Sequence, residues 1–203
     1  MSASLFSVVL VVVLIATVVL GFSSFSLYVL GAENPISMMW GWKTYASLER
    51  GISLRHPEGF SVDQAYAYGN LGRTRTIRGV AFTPPESYTA GTNLSSLTKM
   101  TVETIPAAVE CTPRDFLYKP QALKAVREDG REYAFGMERE VKKSVVREER
   151  VYALTGSSPC VAVRYTVYSA LIEVDDVAAV KAFDEARLFE TFDTMRRSLS
   201  LIK

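Results

Sequence analysis

The chain carries no Asp, Glu, Lys or Arg before Glu33, and Leu5 to Leu30 reads LFSVVLVVVLIATVVLGFSSFSLYVL. Its interruptions, Ser7, Thr17, Gly21, Ser23, Ser24 and Ser26, are ones a membrane helix tolerates. At about 1.5 Å per residue the run reaches roughly 39 Å, more than the roughly 30 Å hydrocarbon core, so it predicts a tilted transmembrane helix. A cleaved signal peptide is the rival reading. Its apolar region is usually about 7 to 15 residues, opened by Lys or Arg and closed by small side chains. Here no cation precedes the run, and Leu30 stands before Gly31 and Ala32. The expectation is therefore an uncleaved signal anchor over residues 5–30, behind a tail of residues 1–4, in a single-pass membrane protein.

Lys43 and Arg50 follow this run and would hold the remainder in the cytoplasm, but long domains translocate largely regardless of flanking charge. An extracytoplasmic domain, periplasmic or extracellular, is expected because of the cysteine pair described below. Lys plus Arg number 23 and Asp plus Glu 22, so a formal charge of +1 gives no field to steer the chain onto nucleic acid. One histidine and two cysteines are too few for a four-ligand zinc site built from Cys and His.

Residues 31–50, with Gly31, Pro35, Trp40 and Trp42, are expected as a juxtamembrane linker, with residues 51–203 as the globular domain. The alternative is that Trp42 and Tyr45 already pack as a first strand. From Gly51 onward period-two patterns dominate: Ile52, Leu54 and His56 alternate with Ser53 and Arg55, and further strands are expected over Arg73–Phe82, from Leu97 to Pro106, and along Arg131–Leu154. Cys160–Ile172, almost wholly β-branched or aromatic, reads as a central strand covered on both faces. Thr112, Pro113 and Asp115 form a helix-start pattern. Leu188, Phe192, Met195, Leu199 and Ile202 recur at helical spacing, with Asp175 or Asp176 as the expected cap. The class is α+β.

Little chemistry is legible. No G-x-S-x-G, Walker loop, G-x-G-x-x-G or H-E-x-x-H occurs, and His56 sits in a strand pattern where a structural role is expected. Glu138, Glu140, Glu148, Glu149, Asp175 and Asp176 could serve a carboxylate hydrolase, but their charge-rich surroundings read as solvated surface. Cys111 and Cys160 each adjoin a proline-containing turn and are expected to form a disulfide; two buried reduced thiols are the alternative that a cytoplasmic placement would require. Arg73, Arg75 and Arg78 form a local basic cluster able to meet an anion or an acidic partner, with a solvated strand face as the plainer reading. Asn93-Leu94-Ser95 matches a glycosylation sequon.

W-K-T-Y (Trp42–Tyr45), I-S-L-R-H-P-E-G-F (Ile52–Phe60) and F-D-E-A-R-L-F-E-T-F-D-T-M-R-R-S-L (Phe183–Leu199) resemble the opening and closing motifs of the PsbP-like proteins. His56 stands where tyrosine is commoner. GTNLSSLTKMTVETIP and the two cysteines resemble a group of membrane-anchored bacterial envelope proteins sharing that frame. The resemblance implies an α/β/α sandwich around a mostly antiparallel sheet and a non-catalytic binding or assembly role, without a cofactor. The resulting expectation is a membrane-anchored domain that binds another envelope protein. A carboxylate hydrolase, or a small-solute or lipid carrier with an apolar pocket of several hundred Å³, on the order of known ligand sites, remains the alternative.

Overall fold

The computed structural model describes residues 41–71, 75–106, 110–172 and 180–202. The segment expected to cross the membrane, 5–30, lies outside them, as do Arg73, Asp175 and Asp176. No helix among the described residues is long and apolar enough to cross a membrane.

In chain order the strands are β1 (Trp42–Ser47), β2 (Ile52–Pro57), β3 (Ser61–Asp63), β4 (Ala67–Tyr68), β5 (Ile77–Thr83), β6 (Lys99–Ile105), β7 (Gln121–Glu128), β8 (Arg131–Lys142), β9 (Val145–Leu154), β10 (Cys160–Ala170) and β11 (Ser200–Leu201). One α-helix, α1 (Glu185–Arg197), occurs among the described residues. The strands form a three-stranded sheet, β1-β2-β11, and a larger sheet in the order β3-β5-β6-β10-β9-β8-β7, with β4 also on β5. Each pairing between these strands is antiparallel. The class is α+β, as expected.

Apolar content places β10 at the centre. Its residues from Cys160 to Val167 are all buried, as a strand flanked by β6 and β9 and covered on both faces must be. The charge-rich stretch becomes the long β8–β9 hairpin, which turns where Lys142 faces Val145 and Lys143 adopts a φ of 57°. Val163, Tyr165 and Val167 join Phe82, Met100 and Val102 on one face, beneath Ile52 and Leu54 of the small sheet and Leu188, Phe192 and Met195 of α1. The small sheet and the helix thus close this side together.

Three expectations change. β1 lies within the stretch expected as linker, so the alternative holds: Tyr45 is buried, Trp42 packs against the core, and the compact unit begins at Trp42. The C-terminal helix starts late and ends early. Asp184 is its cap, accepting from the Arg187 amide at 2.9 Å, and past Ser198 the chain turns to pair β11 with β2, taking Ile202 out of the helical stripe. The helix expected from Thr112 is a single 3₁₀ turn over Pro113–Asp115, although Asp115 does accept from the Thr112 amide and hydroxyl. The chain leaves helical geometry there because the Phe116 carbonyl is taken by Arg164 at 2.8 Å while Phe116 and Leu117 turn into the sheet. The second face of the large sheet is therefore covered by this turn and by the Tyr66–Leu71 segment, not by the helical layer an α/β/α sandwich would supply.

Candidate functional site

Alternation along β10 sends Arg164, Thr166 and Tyr168 to that second face, opposite the Val163, Tyr165 and Val167 face. Register brings Thr101 of β6 and Val151 of β9 beside Arg164, and Glu149 beside Thr166. The outcome is a guanidinium, 0% exposed, between two carboxylates, Glu103 at 0% and Glu149 at 1%. Arg164 Nε and Nη2 donate to the two Glu103 oxygens at 2.9 Å each, and Thr101 donates to Glu103 at 2.8 Å. The Tyr68 ring lies 3.7 Å from the guanidinium carbon, stacking a cation on an aromatic face.

Glu149 is held differently. Its Oε2 accepts from the Tyr68 hydroxyl at 2.9 Å and lies 3.5 Å from Arg164 Nη1 and 3.7 Å from Arg147 Nη1, while Oε1 has no hydrogen-bond partner among the described residues. Thr166 Oγ1 and Arg164 Nη1 are likewise buried and unpartnered there. Burial pushes the Glu149 carboxyl above the ordinary carboxylate value, against the pull of Arg164, Arg147 and the Tyr68 hydrogen bond. Burial likewise raises the Tyr66 and Tyr68 hydroxyls, so both stay neutral donors near pH 7. For Arg164, burial opposes the charge, but Glu103 outweighs it by attraction and hydrogen bonding, with Glu149 adding to the effect, and holds the group firmly protonated. A cavity of about 170 Å³ opens beside this cluster, lined by Tyr66, Tyr68, Lys99, Glu149, Thr166 and Tyr168 among others.

Of the acids expected on solvated surface, Glu149 is fully buried and Glu138 largely so, through an ion pair with Arg147; Glu140 is exposed. β9 alternates Glu149 with Val151 and Ala153 on the covered face, which the local charge density concealed. A hydrolase reading asks for two available carboxylates. Here Glu103 has both oxygens clamped by Arg164, leaving Glu149 with one free oxygen.

Cys111 and Cys160 form a disulfide, with Cα atoms 5.1 Å apart, tying the loop after β6 to the start of β10. Arg75 and Arg78 do not share a strand: β5 begins at Ile77, Arg75 pairs with Asp115 at 3.6 Å, and Arg78 is exposed opposite Thr104. His56 is buried in β2 with its ring 5.3 Å from that of Phe82. The Asn93 amide donates to the Ala170 carbonyl at 2.7 Å and its oxygen accepts from Phe183, so the sequon side chain is occupied structurally. A second hollow, of about 470 Å³, lies between the 3₁₀ turn and the β7–β8 hairpin. Pro113, Leu123 and Phe135 give it apolar walls, and Glu110, Arg114 and Lys124 add charge.

No protein-family profile and no curated protein matches the chain. Among solved structures, the chain is similar to a crystal structure from Bacteroides thetaiotaomicron VPI-5482, with a TM-score of 0.47 and 10% identity over 79% of this chain; it spans 48% of that protein's length. It is also similar to the solution structure of cyanobacterial PsbP from Synechocystis sp. PCC 6803, with a TM-score of 0.47 and 14% identity over 84% of this chain and 96% of that one. The resemblance read from the motifs and the similarity to this second structure name the same frame.

Proposed function

We propose that this chain is a single-pass, membrane-anchored protein whose domain lies outside the cytoplasm and acts as a non-catalytic binding or assembly module for another envelope component. The observation that carries the reading is the Cys111–Cys160 disulfide, because such bonds persist in oxidising compartments and are rare in the cytosol. The uncharged run 5–30 supports the anchor. The buried ion cluster supports the binding role: its charges mainly hold one another in place, and Glu103 has no oxygen left to take part in acid or base chemistry.

The β8–β9 tip offers a place to look for the partner, since Val141, Val145 and Leu171 are exposed together and Leu171 donates to the Ser144 carbonyl at 2.7 Å. Photocrosslinkers placed at Val141 and Leu171 in living cells are expected to yield a discrete, reproducible adduct, and one at the exposed Arg127 of the edge strand none. Absence of a discrete adduct from both tip positions would count against the assembly role.

A further inference from the structure

The cavity beside Glu149 has a floor that is chemically incomplete. Thr166 and Glu149 are register neighbours on β10 and β9, both line the space, and each presents a buried polar atom without a partner among the described residues. Leaving such atoms unpaired is costly, and a carboxylate oxygen in this setting calls for a donor. We propose that this cavity binds a small molecule carrying a primary ammonium group, held by Glu149 Oε1 and Thr166 Oγ1, and that Lys99 favours ligands that also carry an acid group.

The walls support a cation. Tyr66, Tyr68 and Tyr168 line the space, and aromatic rings attract ammonium groups through their negative faces. The surrounding charge has the same sense: Glu103, Glu138, Glu140 and Glu149 stand against Arg147 and Arg164 in one connected network. Lys99 is the remaining cation lining the cavity; its Nζ lies 5.7 Å from the Tyr66 ring centroid, and it forms no ion pair among the described residues. It is thus available to a ligand's acid group. Size bounds the guest. At about 30 Å³ per water in the liquid, the cavity of about 170 Å³ holds a molecule of roughly six non-hydrogen atoms, the size of a simple amino acid. The donor set does not suit a metal, since no group of three His, Cys, Asp or Glu side chains is placed for one among the described residues.

This inference goes beyond the assembly role and does not depend on it. The test is a thermal-shift titration of the full-length protein in detergent with millimolar methylammonium, β-alanine, acetate and glycerol. Saturable stabilisation by both amines is expected, stronger for β-alanine and absent for acetate and glycerol. Glu149→Gln should weaken both amines about ten- to a hundredfold, the worth of a hydrogen bond to a charged group. Lys99→Ala should bring β-alanine down to the affinity of methylammonium and leave methylammonium unchanged. Should Glu149→Gln fail to fold, Thr166→Val and Lys99→Ala carry the same comparison. No saturable shift from either amine, or an equal response to acetate or glycerol, overturns the proposal.

Discussion

Replacing Arg164 with methionine tests the buried cluster most severely. Methionine approaches the volume of the arginine stem, so the packing change is modest and the effect is mainly electrostatic. The variant deprives Glu103 of both charge-assisted hydrogen bonds, removes the cation nearest Glu149, and strands the Phe116 carbonyl that ended the 3₁₀ turn. Removing one partner of a buried ion pair typically costs about 3–5 kcal/mol because the other charge remains desolvated. In a domain of this size each kcal/mol lowers the melting temperature by about 2–4 °C, so a drop of roughly 6–20 °C is expected. The assay is urea unfolding of the oxidised full-length protein, followed by fluorescence of Trp42, which packs against the core. The double variant Arg164→Met with Glu103→Gln should recover part of the loss, since it removes the stranded charge as well; a coupling of about 0.5–3 kcal/mol is expected for residues in contact. A single-variant loss within about 0.5 kcal/mol, the range of ordinary surface substitutions, would refute this account of the cluster.

Glu149 should leave a pH signature. Its carboxyl is raised by burial above the ordinary 4.5, so the folded state binds the proton more tightly than the unfolded chain; its contribution to stability is full below that value and is lost as pH rises through the folded pKa. Unfolding free energies measured across this range should therefore fall with pH more steeply for the natural protein than for Glu149→Gln, and parallel curves would contradict the assignment. Replacing Cys111 and Cys160 by serine opens a loop of 49 positions and should cost about 4 kcal/mol by the chain-entropy relation, read by denaturant unfolding; a loss under about 1 kcal/mol would show that the bridge constrains little. A Cβ at Gly136 would lie 2.7 Å from Pro113 Cβ and 3.0 Å from Leu123 Cδ2, so Gly136→Ala should destabilise by about 1–3 kcal/mol in the same assay, and an unchanged midpoint would mean that the 3₁₀ turn yields freely.

The central strand, the long charged hairpin and the disulfide were legible because each rests on a local pattern: continuous β-branched and aromatic residues, alternation, and cysteines flanking turns. The buried cluster was not, because it depends on register between strands far apart in the chain. Glu103 and Arg164 are separated by 61 positions and meet only when β6 lies against β10. One signal was present: an arginine inside a strand expected to be covered on both faces requires a buried carboxylate partner. Glu149 was misread because its neighbours are charged, although it alternates with Val151 and Ala153. The second helix was misread for a related reason. Its start signals are genuine, but Arg164 claims the carbonyl that would have continued the turn, and that competitor is invisible from residues 112–120.

The account stands most directly on where the two sulfurs reside and in what state. Intact cells should be treated with a maleimide that does not cross the cytoplasmic membrane, with and without prior reduction. No labelling of Cys111 or Cys160 before reductant, and labelling of both after it while the cells remain intact, is the predicted result. Labelling that needs no reductant and appears only after lysis would place reduced thiols in the cytoplasm and contradict the account.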